Sequence, residues 1–168
     1  MTRTDLVEIF EKHNKLGHGV EVGVYKGFYA REILSAYTGH LYLVDLWDGT
    51  SLWVDGSRSQ LVVDEMLDYN LKKFNNYTKL KGDSIEMAKT FENKSLDFVY
   101  IDADHQFSSV LHDIVAWLPK VRSGGIISGH DYDPYPPENF DVKRAVDMFF
   151  KEVHLTEEHP RSWWVEVE

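Results

Sequence analysis

Short apolar runs alternate with helical stretches along this chain, and this alternation restricts the fold more than any other feature. The clearest run, Leu96–Ile101, is typical of a central parallel strand covered on both faces. Strands that alternate with helices form right-handed βαβ units within a parallel sheet. The predicted strands are Gly19–Gly23, His40–Asp45, Thr78–Lys81, Leu96–Ile101, Gly125–Ser128, Val153–Glu157 and Trp163–Val167.

Helical periodicity fills the intervals between these strands. Asp5 and Glu8 have the spacing of a capping box, which predicts a first helix from Asp5. The predicted helices are Asp5–Lys15, Phe28–Tyr37, Leu61–Phe74, a short one from Asp83 to Phe91, Gln106–Val121 and Asp141–Glu152. The predicted fold class is α/β: a doubly wound, Rossmann-like sheet of seven strands, mostly parallel, with an antiparallel C-terminal hairpin and helices on both faces.

Composition limits the class of protein. A length of 168 residues predicts a single domain, 1–168. The 28 acidic and 18 basic side chains give a net charge of −10, which argues against partners such as nucleic acid or an anionic membrane. The absence of cysteine excludes disulfides and thiolate metal sites, and fits a cytoplasmic protein. The sequence contains no run of 18 apolar residues, so it predicts no membrane-spanning helix.

Ligands of open α/β sheets bind outside the carboxyl ends of the strands, so the residues after each apolar run are the most informative. Gly23 follows the first strand, where a glycine allows a tight turn and close approach of a ligand. Gly27 opens the next helix, whose N–H groups favour an anion. The Gly-x-x-x-Gly spacing differs from the dinucleotide motif Gly-x-Gly-x-x-Gly, and a purely structural turn is the alternative.

Two further acids follow the second and third strands. Asp45 lies about 20 residues beyond Gly23, where a carboxylate can accept ribose hydroxyls. Asp83 could accept from the exocyclic amine of adenine. The alternatives are a solvated carboxylate for Asp45 and a helix cap for either acid. Together with the glycine turn, these acids indicate an adenosine-containing ligand without a pyrophosphate.

The densest cluster of ionisable groups follows the fourth and fifth strands. It comprises Asp102, Asp104, His105, His130 and Asp131. Adjacent strands lie about 5 Å apart, so the two groups converge. Asp102 and Asp131 could hold Mg²⁺ or another divalent cation, with His130 as a further candidate ligand, and His105 or Asp104 could remove a proton from an acceptor hydroxyl. The alternative is that these residues cap the following helices.

These motifs resemble those of the class I S-adenosylmethionine-dependent methyltransferases, from about Gly19 to Ala145. Segment 20–27, Val-Glu-Val-Gly-Val-Tyr-Lys-Gly, looks like the first motif, and Leu43-Val44-Asp45 looks like the second. Gly82-Asp83-Ser84 looks like the adenine-binding region. The segments 100–105 and 124–132 are the most specific, and they resemble the group allied to macrocin-type and catechol-type O-methyltransferases.

The resemblance implies a role for each matching residue. Glu21 and Gly23 would line the methionine end of S-adenosylmethionine, with Tyr25 and Gly27 in the same motif. Asp45 would hold the ribose, and Asp83 with Ser84 would lie at the adenine. Asp102 would be a metal ligand at the cofactor. The pair after the fifth strand is usually Asp-Asn or Asp-Asp in these relatives. Here it is His130-Asp131, which leaves Asp131 as the better second ligand.

The predicted function is therefore methyl transfer to a small-molecule acceptor, at a hydroxyl oxygen. The alternatives are a non-catalytic nucleoside-binding domain and, less favoured by the glycine spacing, a nicotinamide-dependent oxidoreductase. The family that the motifs resemble carries extra N-terminal helices over the acceptor site, and the given sequence has only about 18 residues before its first strand, so we expect a minimal core without that lid. Apolar surface expected at Leu52, Trp53 and the Trp163–Trp164 hairpin predicts a homo-oligomer.

Overall fold

The structure is a computed structural model that describes residues 1–47, 60–133 and 141–168. The predicted loop Asp48–Ser59, with Leu52 and Trp53, lies outside the described residues, as does most of the predicted loop Asp133–Pro137. The strands are β1 His18–Val22, β2 His40–Asp45, β3 Tyr77–Lys81, β4 Leu96–Ile101, β5 Val121–Gly129, β6 His154–Leu155 and β7 Trp163–Glu166. The helices are α1 Arg3–Lys12, α2 Phe28–Ala36, α3 Gln60–Leu71, α4 Ser84–Ala88, α5 Phe107–Trp117 and α6 Val142–Phe149.

The strands form one seven-stranded sheet in the order β3-β2-β1-β4-β5-β7-β6. The strands β1 to β5 are parallel, whereas β7 pairs antiparallel with β5 and with β6. This arrangement confirms the predicted fold class. The strand order reverses between β1 and β4, which is the point where open α/β sheets bind their ligands.

Helices cover both faces of the sheet because the strands present apolar side chains to both. Every residue of β4 is buried. Phe98 and Tyr100 point into a cluster with α1, α2 and α3, and Val99 and Ile101 point into a second cluster with α4, α5 and α6. The strand that looked most central in the sequence is therefore the centre of the molecule. Among the described residues, no helix combines the length and the apolar character required to cross a bilayer.

The first helix begins two residues earlier than predicted. Thr2 is its N-cap and forms a capping box with Asp5, whose side chain accepts from the Thr2 backbone N–H at 2.7 Å. The predicted box of Asp5 with Glu8 is wrong, because Asp5 occupies the third position of the helix and not the cap. The earlier start places Arg3 in the first turn, beside the carboxyl ends of the strands.

A buried ion pair holds the opposite end of the sheet. Asp97 is fully buried and accepts from Arg122 Nε at 2.7 Å. It also accepts from four successive backbone N–H groups, those of residues 15 to 18. The predicted strand began at Gly125, but β5 begins at Val121. Arg122 looked like part of a turn, and its pairing with Asp97 makes it an interior strand residue.

The C-terminal hairpin packs more tightly than the sequence suggested. Trp163 is fully buried, and its ring lies 5.9 Å from that of Phe150. Trp164 is half-buried and stacks on His154 at 4.1 Å. The expectation that Trp163 forms exposed apolar surface is therefore wrong, because the indole fills the space between β5 and α6.

Candidate active site

The carboxyl ends of β1, β2 and β4 meet at one edge of the sheet. Val22, at the end of β1, is in register with Val44 of β2 and with Ile101 of β4. The next residue along each strand is Gly23, Asp45 or Asp102, and all three are residues predicted to bind the cofactor. The sheet therefore brings together three separate motifs of the sequence.

Gly23 allows β1 and β4 to stay close beyond their last paired residues. Its φ of +84° lies in the left-handed region, and a Cβ at this position would lie 2.1 Å from the carbonyl oxygen of Asp102 and 2.6 Å from Ala103 Cα. The sequence predicted close approach of a ligand here. In the structure the backbone after β4 makes the close approach, so glycine is required even before any ligand binds.

Asp45 organises the turn after β1. Its Oδ2 accepts from the backbone N–H groups of Val24 and Tyr25, both at 2.8 Å, and its Oδ1 accepts from Trp47 N at 3.0 Å. Trp47 is 7% exposed, and its indole N–H donates to the carbonyl oxygen of Tyr25 at 3.2 Å. A carboxylate offers about four acceptor positions, so the side chain retains an acceptor position on Oδ1 for a hydroxyl group.

Glu21 is a buried acid directly beside this turn. Its side chain is 1% exposed, and its Oε2 has no hydrogen-bond partner among the described residues. Burial raises the pKa of Glu21 well above its ordinary value, and the nearby positive charge of Arg3 opposes that shift. Acids whose pKa is strongly shifted by burial and by a nearby charge are common in functional sites.

Arg3 is a site residue that the sequence analysis missed. Its Nη2 donates to Asp102 Oδ2 at 2.9 Å, and its guanidinium carbon lies 3.9 Å from the centre of the Tyr29 ring. The contact joins residues 99 positions apart in the chain. No local pattern could have revealed it, because only the packing of α1 on the sheet brings Arg3 to this edge.

The predicted catalytic cluster is assembled around Asp102, His105 and Asp131. One ligand atom from each of these residues lies within 4.8 Å of the others. His105 Nε2 is 2.9 Å from Asp131 Oδ2 and 3.7 Å from Asp102 Oδ1. His130 Nδ1 lies 3.1 Å from Asp131 Oδ2 but 3.9 Å from Asp102 Oδ1. Both imidazoles therefore lie within 4 Å of both carboxylates, and His105 is slightly the nearer to each.

Charge pairing controls protonation in this cluster. Burial alone would lower the pKa of His105, but the two carboxylates overcome that effect and raise it to about 9. Burial would raise the pKa of Asp131, but His105 and His130 hold it well below its ordinary value. In the absence of ligands, His105 is therefore a cation and Asp131 an anion at neutral pH.

The other predicted site residues lie at helix starts. Asp104 is exposed, accepts from Gln106 N at 3.1 Å and from Ser109 Oγ at 2.7 Å, and does not join the cluster. Asp83 caps α4 by accepting from two backbone N–H groups. The contacts of Asp83 are those of the helix-cap alternative, whereas Asp104 binds the start of α5 without being its N-cap, which is Gln106. Both carboxylates retain further acceptor positions.

Ser84 turns its hydroxyl away from the strand edge. It donates to Asp113 Oδ1 at 2.5 Å and accepts from Trp117 Nε1 at 2.8 Å, so it joins α4 to α5. Burial raises the pKa of Asp113 to about 6. No motif indicated this network, because Asp113 lies in the middle of an apolar helix face.

Two carboxylates and one imidazole are a donor set that fits a divalent cation. Mg²⁺ prefers oxygen ligands, whereas imidazole suits transition metals, so this combination favours an ion such as Mn²⁺ or Fe²⁺ over Mg²⁺. The ligand atoms are already close together, and their charges are neutralised by Arg3 and by protonated His105. A cation at this position would have to displace the proton from His105.

The strand order is that of a Rossmann-like domain, and the acidic residues lie at the edge where such domains bind their ligands. The family profile described as "Methyltransferase domain" matches residues 20–132, and the chain belongs to this family. This result confirms the resemblance drawn from the motifs. No curated protein matches the chain.

Solved structures share the fold at low sequence identity. The O-methyltransferase NovP is 21% identical with a TM-score of 0.68, over 98% of this chain and 77% of NovP. An O-methyltransferase from Bacillus cereus, solved with S-adenosylhomocysteine, is 14% identical with a TM-score of 0.67, over 98% of this chain and 80% of that protein. The O-methyltransferase TomG from Streptomyces achromogenes, solved with S-adenosylmethionine, is 12% identical with a TM-score of 0.69, over 99% of this chain and 79% of TomG.

Proposed function

We propose that this protein transfers the methyl group of S-adenosylmethionine to a hydroxyl oxygen of a small molecule. The single observation that carries the proposal is the position of the Asp102–His105–Asp131 cluster, whose first member directly follows β4, next to the glycine turn. Groups able to bind and deprotonate an acceptor therefore stand beside the expected cofactor. In-line methyl transfer depends mainly on such positioning.

The cofactor half of the site surrounds the ends of β1 to β4. The residues that we propose for it are Glu21, Gly23, Tyr25, Gly27, Asp45, Asp83, Ser84 and Asp102. Asp45 would accept a ribose hydroxyl through Oδ1 while Oδ2 maintains the turn. Ser84 would contribute its backbone, since its hydroxyl is already paired with Asp113.

The acceptor half is the cluster itself. We assign the base to His105, because Asp104 is exposed and is held at the start of α5. His105 would first release the proton that the carboxylates stabilise and would then take the hydroxyl proton. At the same time the oxygen would attack the methyl carbon, the carbon–sulfur bond would break and neutral S-adenosylhomocysteine would remain. Asp102 and Asp131 would stabilise the resulting imidazolium.

A divalent cation is the second way to use the same residues. Asp102, Asp131 and His105 would hold it, and His130, at 3.1 Å from Asp131, would orient the carboxylate. When bound, the ion would lower the pKa of the acceptor hydroxyl. His105 cannot be a metal ligand and a base through the same nitrogen at the same time, so the two proposals can be separated by experiment.

Calorimetric titration with S-adenosylhomocysteine and with NAD⁺ tests the cofactor. We expect S-adenosylhomocysteine to bind and NAD⁺ not to bind; the reverse result would favour an oxidoreductase. Mass spectrometry of an acceptor library with S-adenosylmethionine then tests turnover, before and after exhaustive chelation. Loss of activity on chelation supports the metal, whereas retained activity supports His105 as the base. Binding without any methylated product would indicate a nucleoside-binding domain.

The remaining partner predictions rest on the sequence. The net charge of −10 supports a small-molecule acceptor over nucleic acid or a membrane. The homo-oligomer and the cytoplasmic location stay predictions. Light scattering at micromolar concentration tests the oligomer, and a monomeric mass would contradict it.

A further inference from the structure

A buried donor and a buried acceptor without partners face the same edge of the sheet. Among the described residues, Arg3 Nε and Glu21 Oε2 both lack a hydrogen-bond partner. Arg3 nevertheless lies close enough to lower the pKa of Glu21. Buried polar groups are nearly always hydrogen-bonded, and charged groups lose most when they are not. A buried guanidinium and a buried carboxyl group, not bonded to each other through these atoms, indicate a ligand that satisfies both.

The side chain of Arg3 is held in a fixed position before any ligand binds. Its guanidinium lies 3.9 Å from the Tyr29 ring centre and 5.2 Å from the Tyr100 ring centre, and one nitrogen is bonded to Asp102. The Tyr29 hydroxyl donates to the Arg3 carbonyl oxygen at 3.2 Å, and the Arg3 backbone N–H donates to Glu158. A guanidinium has five N–H donors, so the bond to Asp102 leaves others available.

The ligand chemistry follows from the two charges. A guanidinium binds a carboxylate with a pair of parallel hydrogen bonds, and a buried carboxylate binds an ammonium group. An α-amino acid carries both of these groups on one carbon atom. We propose that Arg3 binds the α-carboxylate of the amino-acid end of the cofactor, opposite Glu21, which accepts from its α-ammonium. This inference rests on the proposed function and adds a residue of α1 to the cofactor site.

The arrangement also gives α1 a function. The structure places the first turn of α1 at the carboxyl end of β4, where Arg3 contacts Asp102. Arg3 would therefore hold the cofactor with one part of its guanidinium and the acceptor cluster with another.

Three nucleosides that differ only in the amino-acid end show which of its groups the protein recognises. They are S-adenosylhomocysteine, its analogue that lacks only the carboxylate, and 5′-methylthioadenosine, which lacks the whole amino-acid end. Dissociation constants are measured by calorimetry for the wild type, Arg3→Gln and Arg3→Lys. The control is Arg144→Gln, since Arg144 also lies over an aromatic ring, Phe107, and near an acid, but its side chain is 70% exposed.

We expect Arg3→Gln to weaken S-adenosylhomocysteine binding by roughly tenfold to a hundredfold, the range for a charged hydrogen-bonded pair. We expect binding of the two analogues to change by less than about twofold. Arg3→Lys should lose part of the affinity, because it keeps the charge but not the pair of hydrogen bonds. Arg144→Gln should leave all three constants unchanged.

Equal losses for all three nucleosides in Arg3→Gln would overturn the inference, since they would show that Arg3 acts only through the structure of Asp102. Unchanged S-adenosylhomocysteine binding would overturn it as well. Should Arg3→Gln fail to fold, the wild type decides: equal affinity for S-adenosylhomocysteine and its decarboxylated analogue would show that the carboxylate is not recognised. Failure of the wild type to bind any of the nucleosides would instead contradict the proposed function itself.

Discussion

Replacing Gly23 by alanine tests whether the turn after β1 depends on the backbone of β4. The substitution places an L-residue at a φ of +84°, which costs about 1–2 kcal/mol. It also places a methyl group 2.1 Å from the Asp102 carbonyl oxygen, and relief of such overpacking costs a further ~1–3 kcal/mol. The free energy of unfolding should therefore fall by about 2–5 kcal/mol.

Gly17→Ala is the matched control, because Gly17 has a φ of +79° and no atom within 4 Å of the added Cβ. It should lose only the conformational part, about 1–2 kcal/mol. Urea denaturation of both variants at one pH gives the difference, and each kcal/mol should also lower Tm by about 2–4 °C. Equal losses for the two variants would refute the close approach of the two backbones. A movement of Asp102 in Gly23→Ala should weaken S-adenosylhomocysteine binding as well, and Gly17→Ala should not.

Three further predictions concern single side chains. Asp45→Ala should weaken S-adenosylhomocysteine binding by ~1.5–3 kcal/mol in calorimetry, because a charged acceptor is lost; an unchanged dissociation constant in the folded variant would remove Asp45 from the site. The pKa of His105 is raised in the folded protein, so the stability advantage of wild type over His105→Gln should be complete below pH 6.5 and disappear as the pH rises through about 9. A constant difference in urea denaturation across that range would contradict the ion pair with Asp131. Arg122→Leu leaves the Asp97 carboxylate buried without its partner and should cost ~3–5 kcal/mol of unfolding free energy; a loss below about 1 kcal/mol would contradict this role.

The sequence predicts the fold well because the strands differ in local composition from the helices. Leu96–Ile101 coincides with β4. All of its residues except Asp97 are apolar, as a strand covered on both faces requires. Arg122 shows where such reasoning fails. A charged residue followed by serine and two glycines is typical of a turn, and only a partner 25 residues away makes it part of β5.

The site divides in the same way. Gly23, Asp45 and Asp102 are predictable because parallel strands bring their carboxyl ends together, whatever the intervening sequence. Arg3 is not predictable, because its contact with Asp102 depends on how α1 packs against the sheet. The sequence also left open how the two histidines are placed relative to the acids. Both lie within 4 Å of Asp102 and Asp131, which no spacing rule determines.

The Asp97 carboxylate, which accepts from the backbone N–H groups of residues 15 to 18, affects the order in which the chain can fold. The connection between α1 and β1 is fixed by Asp97, which lies 80 residues beyond Gly17. Asp97 in turn needs Arg122, a further 25 residues along. During synthesis, the N-terminal helix can therefore form its own turns, but the Asp97–Arg122 pair can form only after β5 has left the ribosome. Contacts of such long range slow folding, and the apolar face of α1 lacks its partner Phe98 until β4 has been made. A chaperone that binds short apolar segments would find this helix available for most of the synthesis of the chain.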